Sequence, residues 1–343
     1  LSVASALEPL VRTVRLSLSF FTLLFLRVFF ISTFLEISFV TNSTFLEATI
    51  INEKSFITDL PIASMTVIQE KPINIGKKQN QILNISKVVP IILKLFNKKI
   101  VWMLHNKISH SKKYLPFKVL ITYMMINYSD LVFTMSKDGI SFGKTLLRRD
   151  RDLLFLHHPI ENNLDRSNKP IEQDIDILIW GAVSPYKGVY EFLKFVKRNK
   201  LDETYKICLA GKVTKNSLLE SIRKLNIKNI SIIDAFISDD ELAQLHNRSK
   251  HILFTYAGYS TLSSAALMYS LSQGSRIIGP NVGSFRDLRK KSLIYTYEDF
   301  EEIEKIVASS KFDLSKDKIR DFIILNSWNR FTLTISDEIK RLT

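Results

Sequence analysis

The sequence predicts an α/β chain of two domains, with a doubly wound parallel sheet in its second half. Three observations lead there. At 343 residues the chain exceeds one ordinary core, and about 150 residues per domain gives two. From Asp174 to Gly283, short apolar runs alternate with amphipathic stretches in a regular strand-then-helix rhythm. Between the halves, residues 161–174 are polar and include Pro170, the composition of a linker. The expected division is therefore a first domain over 1–160, a linker over 161–174 and a second domain from 175 onward.

A hydrophobic share of 46% with 24% charged residues is that of a globular chain. No low-complexity tract or internal repeat interrupts it. The single cysteine, Cys208, lies in the apolar run Ile207–Ala210 and reads as a small core residue. One cysteine excludes a disulfide framework and a cysteine-based zinc site, and fits a reducing cytoplasm. The formal net charge of +14 suits nucleic acid, an anionic membrane or a phosphorylated substrate, or else only a lysine-rich solvated surface. The lysines are dispersed, and no nucleic-acid-binding pattern is present, so nucleic acid is not an expected partner.

In chain order, Leu16 to Val40 is strongly apolar but broken by Arg27 and Glu36. It reads first as a buried helix followed by a strand, with a membrane-contacting segment as the alternative. No small-residue cleavage site follows, and the chain opens on Leu1, which leaves an upstream start open. Lys99–Leu104 is a continuous apolar run of the kind buried on both faces of a parallel sheet. A helix is expected over 116–128, then strands over 130–135 and 153–156. Beyond the linker, strands are expected at 175–180, 205–210, 230–234, 251–256 and 276–279. Helices are expected at 189–198, 217–225, 240–248 and 263–273. Ser238 and Asp239 before Glu241 have N-cap chemistry, and Gly274 stands where a C′ glycine ends a helix.

Parallel sheets bind ligands beyond the carboxyl ends of their strands, and the loops there carry the chemistry. The first strand of the second half runs into Trp180-Gly-Ala-Val-Ser-Pro-Tyr-Lys-Gly188. Gly181 permits a tight turn, Lys187 places a cation at the sheet edge, and Gly188 opens a helix whose N-terminus favours an anion. A phosphate seat follows from that combination; an ordinary loop with a surface lysine is the plainer reading. Gly211-Lys212, after the second strand, offers a weaker version of the same chemistry. Tyr256-Ala-Gly-Tyr-Ser-Thr-Leu-Ser-Ser264 precedes a helix, and its hydroxyls at Ser260, Thr261, Ser263 and Ser264 outnumber what capping needs. They suit a pyrophosphate or ribose. Gly279 and Gly283 bracket a further turn.

The series Gly181…Pro185-Tyr-Lys-Gly188, Ala210-Gly-Lys212, Ser263-Ser-Ala265…Gly274…Ile278-Gly-Pro280…Gly283 resembles the donor domain of GT-B glycosyltransferases, in particular the family 4-like group. In the first half, Trp102-Met-Leu-His105-Asn-Lys-Ile-Ser-His110 resembles a loop of related bacterial polysaccharide transferases. His157-His-Pro159 falls where they carry a His-Pro before the interdomain linker. Ser327-Trp328 resembles the opening of their C-terminal helix, here 327–343, which leaves 175–326 for the donor domain. The resemblance covers Lys99 to the terminus.

It implies a GT-B fold, two Rossmann-like domains facing across a cleft, with the final helix crossing back to the first. It implies a nucleotide-sugar donor as substrate, no cofactor and no metal. The donor residues would be Gly181, Lys187, Gly188, Gly211, Lys212, Tyr256, Thr261, Ser263 and Ser264. Sugar transfer needs a stabilised leaving diphosphate and, with inversion, a base, so His105 and His110 on the first domain's loop are the catalytic candidates; His158 beside Pro159 reads as more architectural. The acceptor would be a saccharide or lipid-linked saccharide, in cell-surface polysaccharide synthesis at the cytoplasmic membrane face. The basic, apolar-interleaved stretch from Lys94 to Lys118 would suit docking on anionic lipid, or only a solvated surface. One departure stands out. Many retaining members carry two glutamates eight positions apart, and those places hold Thr261 and Tyr269 here. That absence motivates a non-catalytic GT-B partner subunit as one alternative; a sugar-nucleotide 2-epimerase of the same fold, which would need carboxylates in the cleft, is the other.

Overall fold

The computed structural model describes residues 37–41, 44–50, 62–68, 93–94, 97–107, 115–148, 151–162, 172–256, 261–309 and 314–342. The apolar run up to residue 36, most of the linker and His110 lie outside the described residues.

The first sheet opens with β1 (Ile37–Thr41), β2 (Thr44–Ile50) and β3 (Ile62–Ile68), each antiparallel to the next. It continues in parallel through β4 (Lys99–Leu104), β5 (Leu131–Thr134) and the two-residue β6 (Leu154–Phe155). Its strand order is the sequence order. Helix α1 (Leu115–Tyr128) joins β4 to β5, and α2 (Lys137–Leu146) joins β5 to β6. Helix α2 is absent from the sequence reading because Gly139 and Gly143 depress its helix propensity. Packing requires both glycines. A Cβ at Gly139 would stand 2.0 Å from Thr134 Oγ1, and one at Gly143 2.5 Å from a methyl of Leu153. They let α2 lie directly on the sheet, and Ser136 caps it by accepting from the Gly139 N–H.

The second sheet is wholly parallel, with its strands in the spatial order Tyr295–Tyr297, Ile277–Pro280, Ser249–Leu253, Ile175–Trp180, Ile207–Ala210, Ile230–Ile233. In chain order come β7 (Ile175–Trp180), α3 (Val189–Arg198), β8 (Ile207–Ala210), α4 (Asn216–Lys224), β9 (Ile230–Ile233) and α5 (Asp239–Arg248). Then follow β10 (Ser249–Leu253), α6 (Ala265–Ser272), β11 (Ile277–Pro280), α7 (Gly283–Lys290), β12 (Tyr295–Tyr297), α8 (Phe300–Ala308) and α9 (Lys316–Leu325). Alternate side chains of a strand point to opposite faces. Leu178 packs with Leu267, Leu271, Phe285 and Phe322 on one side, while Ile177 and Ile179 pack with Phe192, Val196 and Ile303 on the other. Both faces are dry, which is why these strands are continuous apolar runs. Cys208 belongs to the first of these clusters. A capping box formed by Ser238 and Glu241 starts α5, and Gly274 takes the left-handed conformation after α6.

Apolar packing joins the sheets at two places among the described residues. Helix α10 (Trp328–Lys340) places Phe331, Ile335 and Ile339 on one face, and they pack against Val101, Phe133 and Met135 of the first sheet. From the opposite direction Leu262, just before α6, is buried among Trp102, Leu104 and Met125. Among the described residues, no helix is long and apolar enough to cross a membrane.

Candidate functional site

The carboxyl edge of β7 makes a ledge. Gly181 turns with φ of 91°, Pro185–Lys187 form one 3-10 turn, and Gly188, with φ of 66°, caps α3. A Cβ on Gly181 would lie 3.2 Å from Lys187 Nζ, so that glycine makes room for the ammonium itself. Lys187 is mostly buried, lines a recess with Gly181, Val183 and Tyr256, and lies 5.8 Å from the Tyr256 ring centroid. Among the described residues no carboxylate pairs with it, and burial lowers its pKa to about 8. A cation held out of water without a counter-ion fits an anionic ligand.

Tyr256 is the hub between this ledge and the start of α6. Its ring stacks on Tyr186 and on Phe254, both at 6.1 Å. Its hydroxyl lies 3.1 Å from Ser264 Oγ, and burial pushes its pKa up to about 12, so it stays a neutral donor and acceptor. Ser264 also accepts from Leu267 N at 3.2 Å and caps α6. The ledge and this loop are tied by Thr255, whose hydroxyl donates to the Lys187 carbonyl at 2.6 Å. Of the predicted hydroxyls, Ser264 thus serves as cap and tether, while Ser263 faces the other domain.

Ser263 brings the two sheets together at one point. Its Oγ is 3.3 Å from His105 Nδ1, and Asn106 bridges Thr261 in antiparallel fashion. The loop after β4 therefore meets the loop before α6, and of the two histidine candidates the described one stands at that junction.

The remaining candidates have other parts in the described structure. Gly211 has φ of 140°, and a Cβ there would meet the Gly181 carbonyl oxygen at 2.3 Å. Its role in the described structure is to let β8 pass the ledge, with no ligand needed to explain it. Lys212 is largely exposed and pairs with Asp234 at 3.2 Å. His158 bonds the Pro159 carbonyl at 2.8 Å, and His157 wedges edge-on between Phe155 and Phe322 with its pKa lowered to about 4 by burial. Tyr269, in the place of the second glutamate, packs edge-to-face on Trp180 and His246. Sequence reading missed Thr255 and Tyr186, whose only signal is nearness to the loops, and Asp138, Arg286 and Asp287, which meet across the two sheets. Among the described residues no three histidine, cysteine or acidic side chains gather where they could hold a metal ion.

No protein-family model matches the chain, and no curated protein matches it. Solved structures do. A UDP-forming α,α-trehalose-phosphate synthase from Burkholderia vietnamiensis superposes with a TM-score of 0.59 at 7% identity, over 79% of this chain and 81% of that one. Anabaena Alr3699/HepE, solved with UDP-glucose, gives 0.56 at 14% identity over 76% of each chain. The N-terminal domain of Candida albicans trehalose-6-phosphate phosphatase gives 0.57 at 12% identity, over 80% and 78%. The chain has the GT-B fold. At these identities the likeness is one of fold, with two Rossmann-like domains, and the assignment of activity rests on the site.

Proposed function

We propose that this GT-B chain is a glycosyltransferase that takes a sugar from a nucleotide-sugar and passes it to a saccharide or lipid-linked acceptor in cell-surface polysaccharide synthesis. The observation that carries the reading is Lys187, a mostly buried ammonium with no carboxylate paired to it among the described residues, set on a Gly-turned ledge beside the N-terminus of α3. A donor diphosphate supplies the missing charge. UDP-glucose, the ligand solved with Alr3699/HepE, is the first donor to try.

In the reaction the leaving diphosphate gathers negative charge as the glycosidic bond to it breaks. Lys187 and the free N–H groups opening α3 stabilise that charge without a metal ion. Ser263, Ser264 and Tyr256 offer hydroxyls to phosphate or ribose, with Thr261 beside them, while Gly181 and Gly188 shape the ledge and Gly211 and Lys212 flank it. His105 lies at the junction with the first domain, where an acceptor hydroxyl would approach, and serves as the base or an orienting group. His110, on the same loop, is the second candidate for that role. The reading is of a family 4-like hexosyltransferase acting at the cytoplasmic membrane face.

The 2-epimerase alternative needs carboxylates for elimination and proton return. Two acidic side chains that meet across the domains, Asp138 and Asp287, already accept hydrogen bonds there. Transfer is therefore preferred. Calorimetric titration with UDP, GDP and CMP and their sugars, followed by a hydrolysis assay, tests it. Binding of one nucleotide-sugar with slow release of its sugar is expected; no heat with any member of the panel would sink the reading.

A further inference from the structure

Helix α7 begins at Gly283 behind Val282, a residue with no side-chain oxygen to cap it. The missing cap comes from the other domain. Asp138, in the first turn of α2, accepts from the Gly283 N–H at 3.0 Å and from Arg286 Nη1 at 2.9 Å. Arg286 is itself held by donation to the Asn281 carbonyl at 2.6 Å. In return, Asp287 on α7 accepts from the backbone N–H of Lys137, which opens α2, at 2.8 Å. Each helix thus supplies an aspartate to the N-terminus of the other, where a negative charge is favoured by both dipole and free donors.

The exchange is bonded to the site on both sides. Ser284 N donates to the Leu262 carbonyl at 2.8 Å, and Gly283 packs so closely on this segment that a Cβ would meet Thr261 O at 2.5 Å. The next residue, Ser263, contacts His105. From the first domain, Lys107, two residues after His105, approaches Asp138 at 3.8 Å.

We propose that Asp138 and Asp287 are positioning residues, a reciprocal cross-domain latch that fixes the His105 loop relative to the Lys187 ledge. The proposal rests on the transferase reading for its effect on turnover, and on geometry alone for the latch itself. Asp287 is almost wholly buried, and breaking its bond to Lys137 leaves a carboxylate without a donor in a dry interface, so the latch closes or opens as a unit.

The test uses the full chain carrying Lys144→Cys on α2 and Lys224→Cys on α4, both exposed, as spin-label sites; Cys208 is buried and stays unlabelled. The parent should give a narrow distance distribution. Asp138→Ala and Asp287→Ala should each broaden it toward longer distances, and Asp138→Asn, which keeps an acceptor for Gly283, should fall between. UDP lies on the second domain, so its affinity should stay within about twofold, while UDP-glucose turnover drops by at least about tenfold. An unchanged distribution in both alanine variants overturns the latch, as does loss of UDP affinity in step with turnover. If the parent itself does not turn over UDP-glucose, that counts against this donor for the transferase. The distance distribution then decides alone, broadening in favour of the latch and constancy against it.

Discussion

Lys187 ties the stability of the chain to pH. With its pKa lowered to about 8 from 10.5, it binds fewer protons when folded than when unfolded between those values. Stability from this group therefore rises as pH increases through that window, and below it the folded chain holds a desolvated charge. Two outcomes follow at this scale. Lys187→Ala should weaken UDP binding by at least about tenfold by removing a charge-assisted contact. The same substitution should leave the nucleotide-free chain as stable as the parent or slightly more so, because the lost charge was mostly buried with no carboxylate paired to it among the described residues. Thermal melts with and without UDP separate the two, and a loss of stability equal in both would contradict the assignment. A diphosphate also returns the lysine toward its ordinary pKa, so binding near pH 8 to 9 should take up protons. Calorimetry in buffers of different ionisation enthalpy measures this, and no dependence on buffer would mean that Lys187 does not meet the anion.

At the scale of the element, the glycines divide by what they touch. Gly211 combines φ of 140° with a would-be Cβ contact at 2.3 Å to the Gly181 carbonyl. Gly211→Ala should cost on the order of 1–3 kcal/mol, read as a lower urea midpoint at unchanged slope. Lys212→Ala should change stability by less than about 1 kcal/mol, because its pair with Asp234 is exposed. A large loss there would show a role the ion pair does not explain. From Lys99 to Pro280 most of the alternation of strands and helices was legible, because buried parallel strands are uninterrupted apolar runs and the caps at Ser238 and Gly274 carry local signals. Helix α2 was not, since Gly139 and Gly143 are chosen for contact with Thr134 and Leu153 rather than for helicity. Nor was the reason for Gly211, whose partner is a backbone oxygen on another strand.

Over the whole molecule, the part of the site that sequence reading could find is the part made by single loops. Lys187 with Gly188, and Ser263 with Ser264, are local motifs on one domain. The contacts of Asp138 and Asp287 span about 150 residues of sequence and join two helices that share no motif, so nothing local announces them. His105 belongs between these cases, visible as a histidine on a loop but placed at the domain junction only by its contact with Ser263. Whether the ledge at Lys187 seats the diphosphate of a nucleotide-sugar is decided by a crystal structure of the chain with UDP. The expected result is a phosphate oxygen about 2.7–2.9 Å from Lys187 Nζ, between the start of α3 and the Ser264 hydroxyl. UDP bound elsewhere, or an ammonium still without an anion in a UDP-saturated crystal, would contradict it.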